Sequence, residues 1–398
     1  MNAAALDVRW GAVRTLSLLA FAVIAACGSF GAEEAQTPAA SDAGAPTGSP
    51  DAGSSSGGSS SSSGGGPVTG YSADVAMGYS DDHAIKGQPV HVCRMRAGSV
   101  RCWGNNELGE APSDTSGITD VVQLTAGSDH TCARVKDGTL RCWGFNYHGQ
   151  LGVNQNEGTL LATPSSTPPI ANAITITAGY AHTCTVAGSK ASCWGKHNDG
   201  ERGEDNALNT TLSDHQPAEI AAAAIAVAAG YKLTCYLDAS GSAWCSGGNQ
   251  NGQVGQTSPL AFIYGFKQVP TITKASQIVA GRRAACAIAS DELWCWGEGS
   301  SFGIAAGPQP TPTRVGGEDR YAAVALGVNV CGLRVDRKTV DCFVGGSRVT
   351  KLFDEEIANV ATASLTYCAI AKSGALRCWG DLSMFQLTST PEPQVIEN

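Results

Sequence analysis

The chain has 398 residues, of which only 15% are charged and 49 are glycine, and its formal net charge is −9. That length holds two ordinary domains or one large repeat domain, and the composition suits a turn-rich β protein better than a helical one. An acidic surface without any basic stripe in the sequence argues against a nucleic-acid binder.

Residues 1–26 read as an export signal. Arg9 and Arg14 precede an apolar run over residues 16–26, which ends in Ile24-Ala25-Ala26-Cys27. A charged start, a short apolar stretch and small residues before a cleavage point are the marks of a signal peptide. The run is too short to span a bilayer comfortably. Ile-Ala-Ala-Cys also resembles the lipobox of bacterial lipoproteins, which makes Cys27 the expected lipidated first residue of the mature chain. Several acyl chains on one terminus anchor stably, because each buried CH₂ contributes ~0.8 kcal/mol. Residues 27–70 follow as a Ser- and Gly-rich linker with too little apolar surface to form a core. As a flexible coil it would span about 35 Å and act as a tether.

From residue 71 to residue 398 the chain repeats. After Cys27 come fourteen cysteines in seven pairs: Cys93 and Cys102, Cys132 and Cys142, Cys184 and Cys193, Cys235 and Cys245, Cys286 and Cys295, Cys331 and Cys342, and Cys368 and Cys378. An exported chain with even, periodic cysteine usage is expected to form disulfides. The midpoints of three pairs fall inside Lys136-Asp137-Gly138, Ala239-Ser240-Gly241 and Lys372-Ser373-Gly374, each a plausible three-residue hairpin loop. The pairs nine residues apart centre on two-residue loops such as Gly188-Ser189. Hairpins so centred put the two cysteines opposite each other on neighbouring strands, within disulfide reach. Zinc is disfavoured, since the pairs are too widely spaced for Cys-x₂₋₄-Cys.

Two motifs flank the pairs. A small apolar strand ending in Gly precedes the first cysteine, as in Ile176-Thr177-Ala178-Gly179-Tyr180-Ala181-His182-Thr183-Cys184. Trp-Gly follows the second, at Trp103, Trp143, Trp194, Trp296 and Trp379, and then come strings such as Gly149-Gln150-Leu151-Gly152. The combination resembles the regulator of chromosome condensation repeat family over residues 72–398. That resemblance implies an all-β, seven-bladed propeller of four-stranded blades, an architecture open to periodic β chains. The register of the repeats also predicts a strand in the Ala-rich residues 221–229, against their helix propensity. The C-terminal residues 390–396 have no following repeat, so the expectation is that they complete the blade begun by the N-terminal repeat.

No catalytic motif, metal site or cofactor site stands out. His130 and His182 belong to the repeat motif and read as structural residues. Asn198-Asp199-Gly200 and Glu204-Asp205-Asn206 read as turns rather than Ca²⁺ ligands. The expected function is a non-enzymatic, extracytoplasmic, lipid-anchored binding scaffold, monomeric, with a protein partner and no nucleic acid. It is anchored to the bacterial cell envelope through the lipid only. The alternative is a hydrolase or carbohydrate-active propeller with clustered carboxylates at the central channel. The spacing between one pair and the next predicts the working face. Three long, consecutive gaps place extra residues near 153–163, 204–216 and 256–268, which equivalent positions would raise on one side of the disc. Loops carry function more often than scaffold, and the third stretch holds Phe262, Tyr264 and Phe266, candidate anchors for the partner.

Overall fold

A computed structural model describes residues 75–78 and 91–396, apart from 114, 116, 154–159, 167–169, 205–212 and 386. The signal segment 1–26, Cys27 and the linker lie outside the described residues. So do most of the residues between the first two strands.

The strands form seven separate antiparallel sheets, each built from consecutive strands in sequence order. These are the blades, numbered one to seven along the chain. Blades two to seven have four strands each; blade one has three among the described residues, Val75–Met77, Val92–Arg96 and Ser99–Trp103. The innermost strand of each blade packs on those of the blades before and after, and Val75–Met77 packs on Ile357–Ala363 of blade seven, which closes the ring. Inner strands converge on a narrow centre, and small side chains fit there. Ala224–Ala229 is the clearest case: it is a strand, and all of its residues but Ile225 are buried. Burial between two neighbouring blades outweighs the helix propensity of alanine.

Every blade joins its two cysteines directly across the second and third strands, with Cα atoms 4.0–4.1 Å apart. In blades one to four Cys93 bonds to Cys102, Cys132 to Cys142, Cys184 to Cys193 and Cys235 to Cys245. In blades five to seven Cys286 bonds to Cys295, Cys331 to Cys342 and Cys368 to Cys378. All seven bridges thus lie within a repeat, as the hairpin spacing predicts. The turns behind them follow the expected chemistry. Ser290 and Asp291 both take positive φ in a two-residue turn, as the twist of a tight hairpin requires. In the three-residue loops the glycine does so, as at Gly138, φ 83°.

The repeat motif bonds blade to blade. The Trp143 indole donates to the Glu110 carbonyl in the segment that follows blade one, Trp194 to Gln150 after the third strand of blade two, and Trp296 to Gln253 after that of blade four, all at 2.9–3.0 Å. The threonine of the motif donates to the same carbonyls, Thr131 to Glu110 and Thr183 to Gln150. Its single hydroxyl proton is thereby engaged, so it accepts from the histidine of the preceding blade. His91 meets Thr131 at 2.9 Å, His130 meets Thr183 at 2.9 Å and His182 meets Thr234 at 2.8 Å. Both histidines singled out in the repeat are therefore structural. Burial lowers the pKa of all three rings to about 3, which keeps them neutral.

Two sequence expectations are corrected. The C-terminal strand Thr390–Val395 does not complete blade one; it pairs with Leu376–Gly380 as the outer strand of its own blade seven. The ring closes by side-chain contacts between blades one and seven instead. Ile396 lies in one cluster with Val75 and Met77, and the Arg94 guanidinium donates to the Gly374 carbonyl. Among the described residues blade one has no outer strand: no strand lies between Trp103 and the next inner strand, which begins at Val121. The second correction concerns the long gaps. The end of each is an outer strand, Leu160–Ser166, Ser213–Ala221 and Phe262–Gln268, so the third stretch with its aromatics is not a raised loop, while residues 154–159 and 205–212 of the other two lie outside the described residues. Blade six reaches its outer strand with Gly345-Gly346 alone, both at positive φ.

Candidate functional site

Antiparallel order fixes what each face of the ring carries. The inner strand runs up to the repeat glycine, the chain turns over two residues, and the second strand runs down to the cysteine hairpin. The third strand returns to the first face. The two-residue turns and the connections between third and fourth strands therefore share one face, and the cysteine hairpins occupy the other. In blades two to seven the turn positions follow the repeat glycine, or Ala363 in blade seven: Ser128-Asp129, Tyr180-Ala181, Tyr231-Lys232, Arg282-Arg283, Val328-Asn329 and Ser364-Leu365. They form the rim of the central channel.

Close contact between turns holds them there. Gly179 carries no side chain because a Cβ would lie 2.4 Å from the Gly230 carbonyl of the next blade. The Tyr180 amide donates to that carbonyl and the Tyr231 amide to the Gly281 carbonyl, so successive turns are linked around the channel. From blade three to blade five the rim is aromatic and cationic. The rings of Tyr180 and Tyr231 stand 4.7 Å apart. The Arg282 guanidinium lies 5.9 Å from the Tyr231 ring, and the Lys232 ammonium lies 5.7 Å from it on the same turn. Arg283 is exposed beside them. A cavity of about 240 Å³ opens among Tyr231, Lys232, Gln250, Phe262, Arg282 and Arg283.

Carboxylates stand near this cavity, and each is tied to a cation or to backbone. Asp199 meets Lys196 at 2.5 Å and Lys232 at 3.0 Å. Burial alone would raise its pKa, but the two ammonium groups hold it below the usual range. Glu201 is buried, which raises its pKa against the attraction of Lys196. Glu298 accepts from the Gly307 amide at 2.7 Å and from Ser300; the Gly307 bond contributes most to its lowered pKa. Asp199 thus serves a turn and an ion-pair network. Among the described residues no group of three or more His, Cys, Asp or Glu side chains is arranged to hold a metal ion. No helix among them is long and apolar enough to cross a membrane.

The three aromatics expected to anchor a partner lie in the outer strand of blade four, half-buried. Phe262 lines the rim cavity, with the Lys232 ammonium 5.6 Å from its ring. Tyr264 donates to the Asn198 carbonyl of blade three at 3.1 Å. Phe266 packs edge-on against Tyr236, 4.9 Å between centroids, and lies against Gly203, where a Cβ would overlap its ring. Only Phe262 thus joins the cationic rim; the other two seat blade four on blade three. Sequence reasoning missed Tyr231, Lys232, Arg282 and Arg283. They are scattered over about fifty residues, so no basic stripe shows. Aligning the two positions after each repeat glycine would have brought them together.

Family models describing the regulator of chromosome condensation (RCC1) repeat match residues 121–150, 137–186 and 224–253. No curated protein matches the sequence. Among solved structures, yeast RCC1 (Prp20) bound to Kap60 superposes with a TM-score of 0.64 at 17% identity, over 75% of this chain and 84% of that one. Prp20p from Saccharomyces cerevisiae, described with its binding to Gsp1p and histones, gives 0.64 at 15% identity, over 80% and 90%. The ectodomain of the Physcomitrella patens receptor kinase CR4 gives 0.51 at 19% identity, over 77% and 73%. At such identities these similarities show the fold alone. Ring topology makes the chain a seven-bladed β-propeller, and its residues 121–186 and 224–253 match repeats of the regulator of chromosome condensation type.

Proposed function

We propose that this protein is an extracytoplasmic binding scaffold, anchored by lipid at Cys27 and held off the membrane by residues 28–70, which captures a protein partner on the rim face. The observation that carries this reading is the division of labour within the repeat. The buried histidines, threonines and tryptophans are engaged in bonds between blades, whereas the two turn positions at the rim vary freely and gather aromatic and cationic side chains. Arg and Tyr are favoured at interfaces because they combine contact area with directed hydrogen bonds. Seven disulfides indicate an oxidising, extracytoplasmic setting. Structures with this fold include yeast Prp20p, described with its binding to Gsp1p and histones; a propeller offering one face to a protein is a reasonable use here too.

Two measurements test the reading. Metabolic labelling with a fatty acid should mark the wild-type chain and fail on Cys27→Ser; labelling of both removes the anchor. A photo-crosslinking amino acid should then be placed in intact cells at position 262 on the rim face and at position 274 on the hairpin face. An adduct with an envelope protein is expected from position 262 only. Absence of any adduct from either face would count against a binding scaffold.

A further inference from the structure

The rim cavity continues outward. Gln250 and Gly252 lie in the connection after the third strand of blade four, and Gln250 lines both the rim cavity and a larger one of about 650 Å³. The outer cavity is walled by Pro259, Leu260, Pro308 and Pro310, with the uncharged polar Gln256, Thr257 and Ser258 beside them and Leu260 61% exposed. Pro308 and Pro310 belong to the outer strand of blade five, Pro308–Val315, which Gly252 allows close: a Cβ there would meet Pro310 at 2.8 Å. The face thus carries one radial groove with two chemistries. Its inner end has Arg282, Arg283 and Lys232, its middle the Gln250 amide, and its outer end proline and leucine.

We propose that this groove binds an extended segment of a partner protein that carries carboxylates at one end and apolar side chains at the other. This rests on the binding-scaffold reading above and names its site and partner chemistry. Charge complementarity chooses the inner occupant. Lys232 is bridged to Asp199, two adjacent arginines wall the cavity beside it with Glu298 near them, and a guanidinium has donors enough to hold a further carboxylate in a two-point geometry alongside its existing partners. The chain as a whole is acidic, net −9, so a long polyanion would meet repulsion wherever it left the rim. A segment with only two or three carboxylates at one end would not, because charges beyond about 8 Å are screened. The outer end favours apolar side chains, since Leu260 and the prolines offer no charge. Nor can the segment simply add a strand at that edge: proline at 308, 310 and 312 removes the amide donors a new strand would need. Recognition therefore falls to side chains and to the Gln250 amide.

The test is selection of a displayed random twelve-residue peptide library on the purified full chain. Two or more Asp or Glu followed within about six residues by Leu, Ile or Phe is the expected consensus. A fluorescein-labelled peptide of that consensus should lose at least tenfold in affinity to the double variant Arg282→Gln/Arg283→Gln, and severalfold to Leu260→Ser. Lys274→Gln, on the opposite face, should leave it unchanged. Thermal melts confirm that the variants fold, and neither arginine is buried. No acidic enrichment, or affinity indifferent to the double variant, overturns the proposal; so does a heparin or oligothymidylate probe that binds tighter than the peptide. If position 262 crosslinks a partner in cells while the double variant still captures it, the groove chemistry fails and the scaffold reading stands.

Discussion

A histidine with no charge to offer links one blade to the next in the first three repeats. His91, His130 and His182 are buried and neutral and each bonds a threonine of the next blade; His91 and His130 donate, because the hydroxyl protons of Thr131 and Thr183 are already engaged elsewhere. This sets a pH dependence. In the unfolded chain the rings titrate near 6.5; in the fold they stay neutral down to about 3. Below pH 6.5 the unfolded state therefore binds more protons, so stability is complete above that value and falls as pH drops toward 3. At pH 7, His182→Ala should cost about 1–3 kcal/mol for the lost buried bond. Because the variant no longer needs a neutral ring, its deficit against wild type should narrow between about pH 6 and pH 4. Chemical denaturation at three pH values measures this; a deficit that widens on acidification would show the ring to be charged in the fold. The role was half legible in the sequence. A histidine at a fixed offset in two repeats signals structure, but its partner lies about fifty residues away in the next repeat, and only the ring brings them together.

Among the elements, blade six departs most from the repeat, and a buried carboxylate holds it. Asp341 is fully buried beside Cys342, on the third strand Thr339–Val344. It accepts from Tyr321 at 3.0 Å, Arg334 at 2.8 Å, Arg348 at 2.7 Å and Thr350 at 2.7 Å. The two arginines also clamp Asp319, which ties the start of the inner strand to the outer one. Burial, and then Asp341 beside it, hold the Tyr321 phenol above its ordinary range, so it donates at any physiological pH. Asp341→Ala leaves four donors facing an empty site and should destabilise the protein by about 2–4 kcal/mol, read by denaturant melts. An effect under about 0.5 kcal/mol would mean that solvent replaces the carboxylate without penalty. Nothing in the local sequence announces this cluster, since Asp341 stands at an ordinary hairpin position and its donors come from the other three strands of the blade.

Across the whole molecule, the ring closes through side-chain contacts. Blade one offers Val75, Met77 and the Arg94 guanidinium, blade seven offers Leu376, Ile396 and the Gly374 carbonyl, and the two blades share no strand among the described residues. Deleting residues 390–398 removes an outer strand and the buried Ile396, and should lower the melting temperature by about 5–10 °C. Hydrogen exchange should then rise first in blade seven and in Val75–Met77; a uniform rise over all blades would indicate that the ring opens as one unit. The seven-blade count, the pairing of every cysteine and the strand Ala224–Ala229 within the Ala-rich residues were all determined by the sequence, because hairpin geometry and repeat register act over about ten residues. The ring's seam, the three-stranded form of blade one among the described residues and the cationic rim were decided only by tertiary structure. Each depends on which repeats become neighbours and on which face two turn residues emerge, and the sequence keeps those residues about fifty positions apart. The same cause turned Phe262, Tyr264 and Phe266 from an expected loop into a strand: their apolar character answered to the adjoining blade, which the local sequence does not contain.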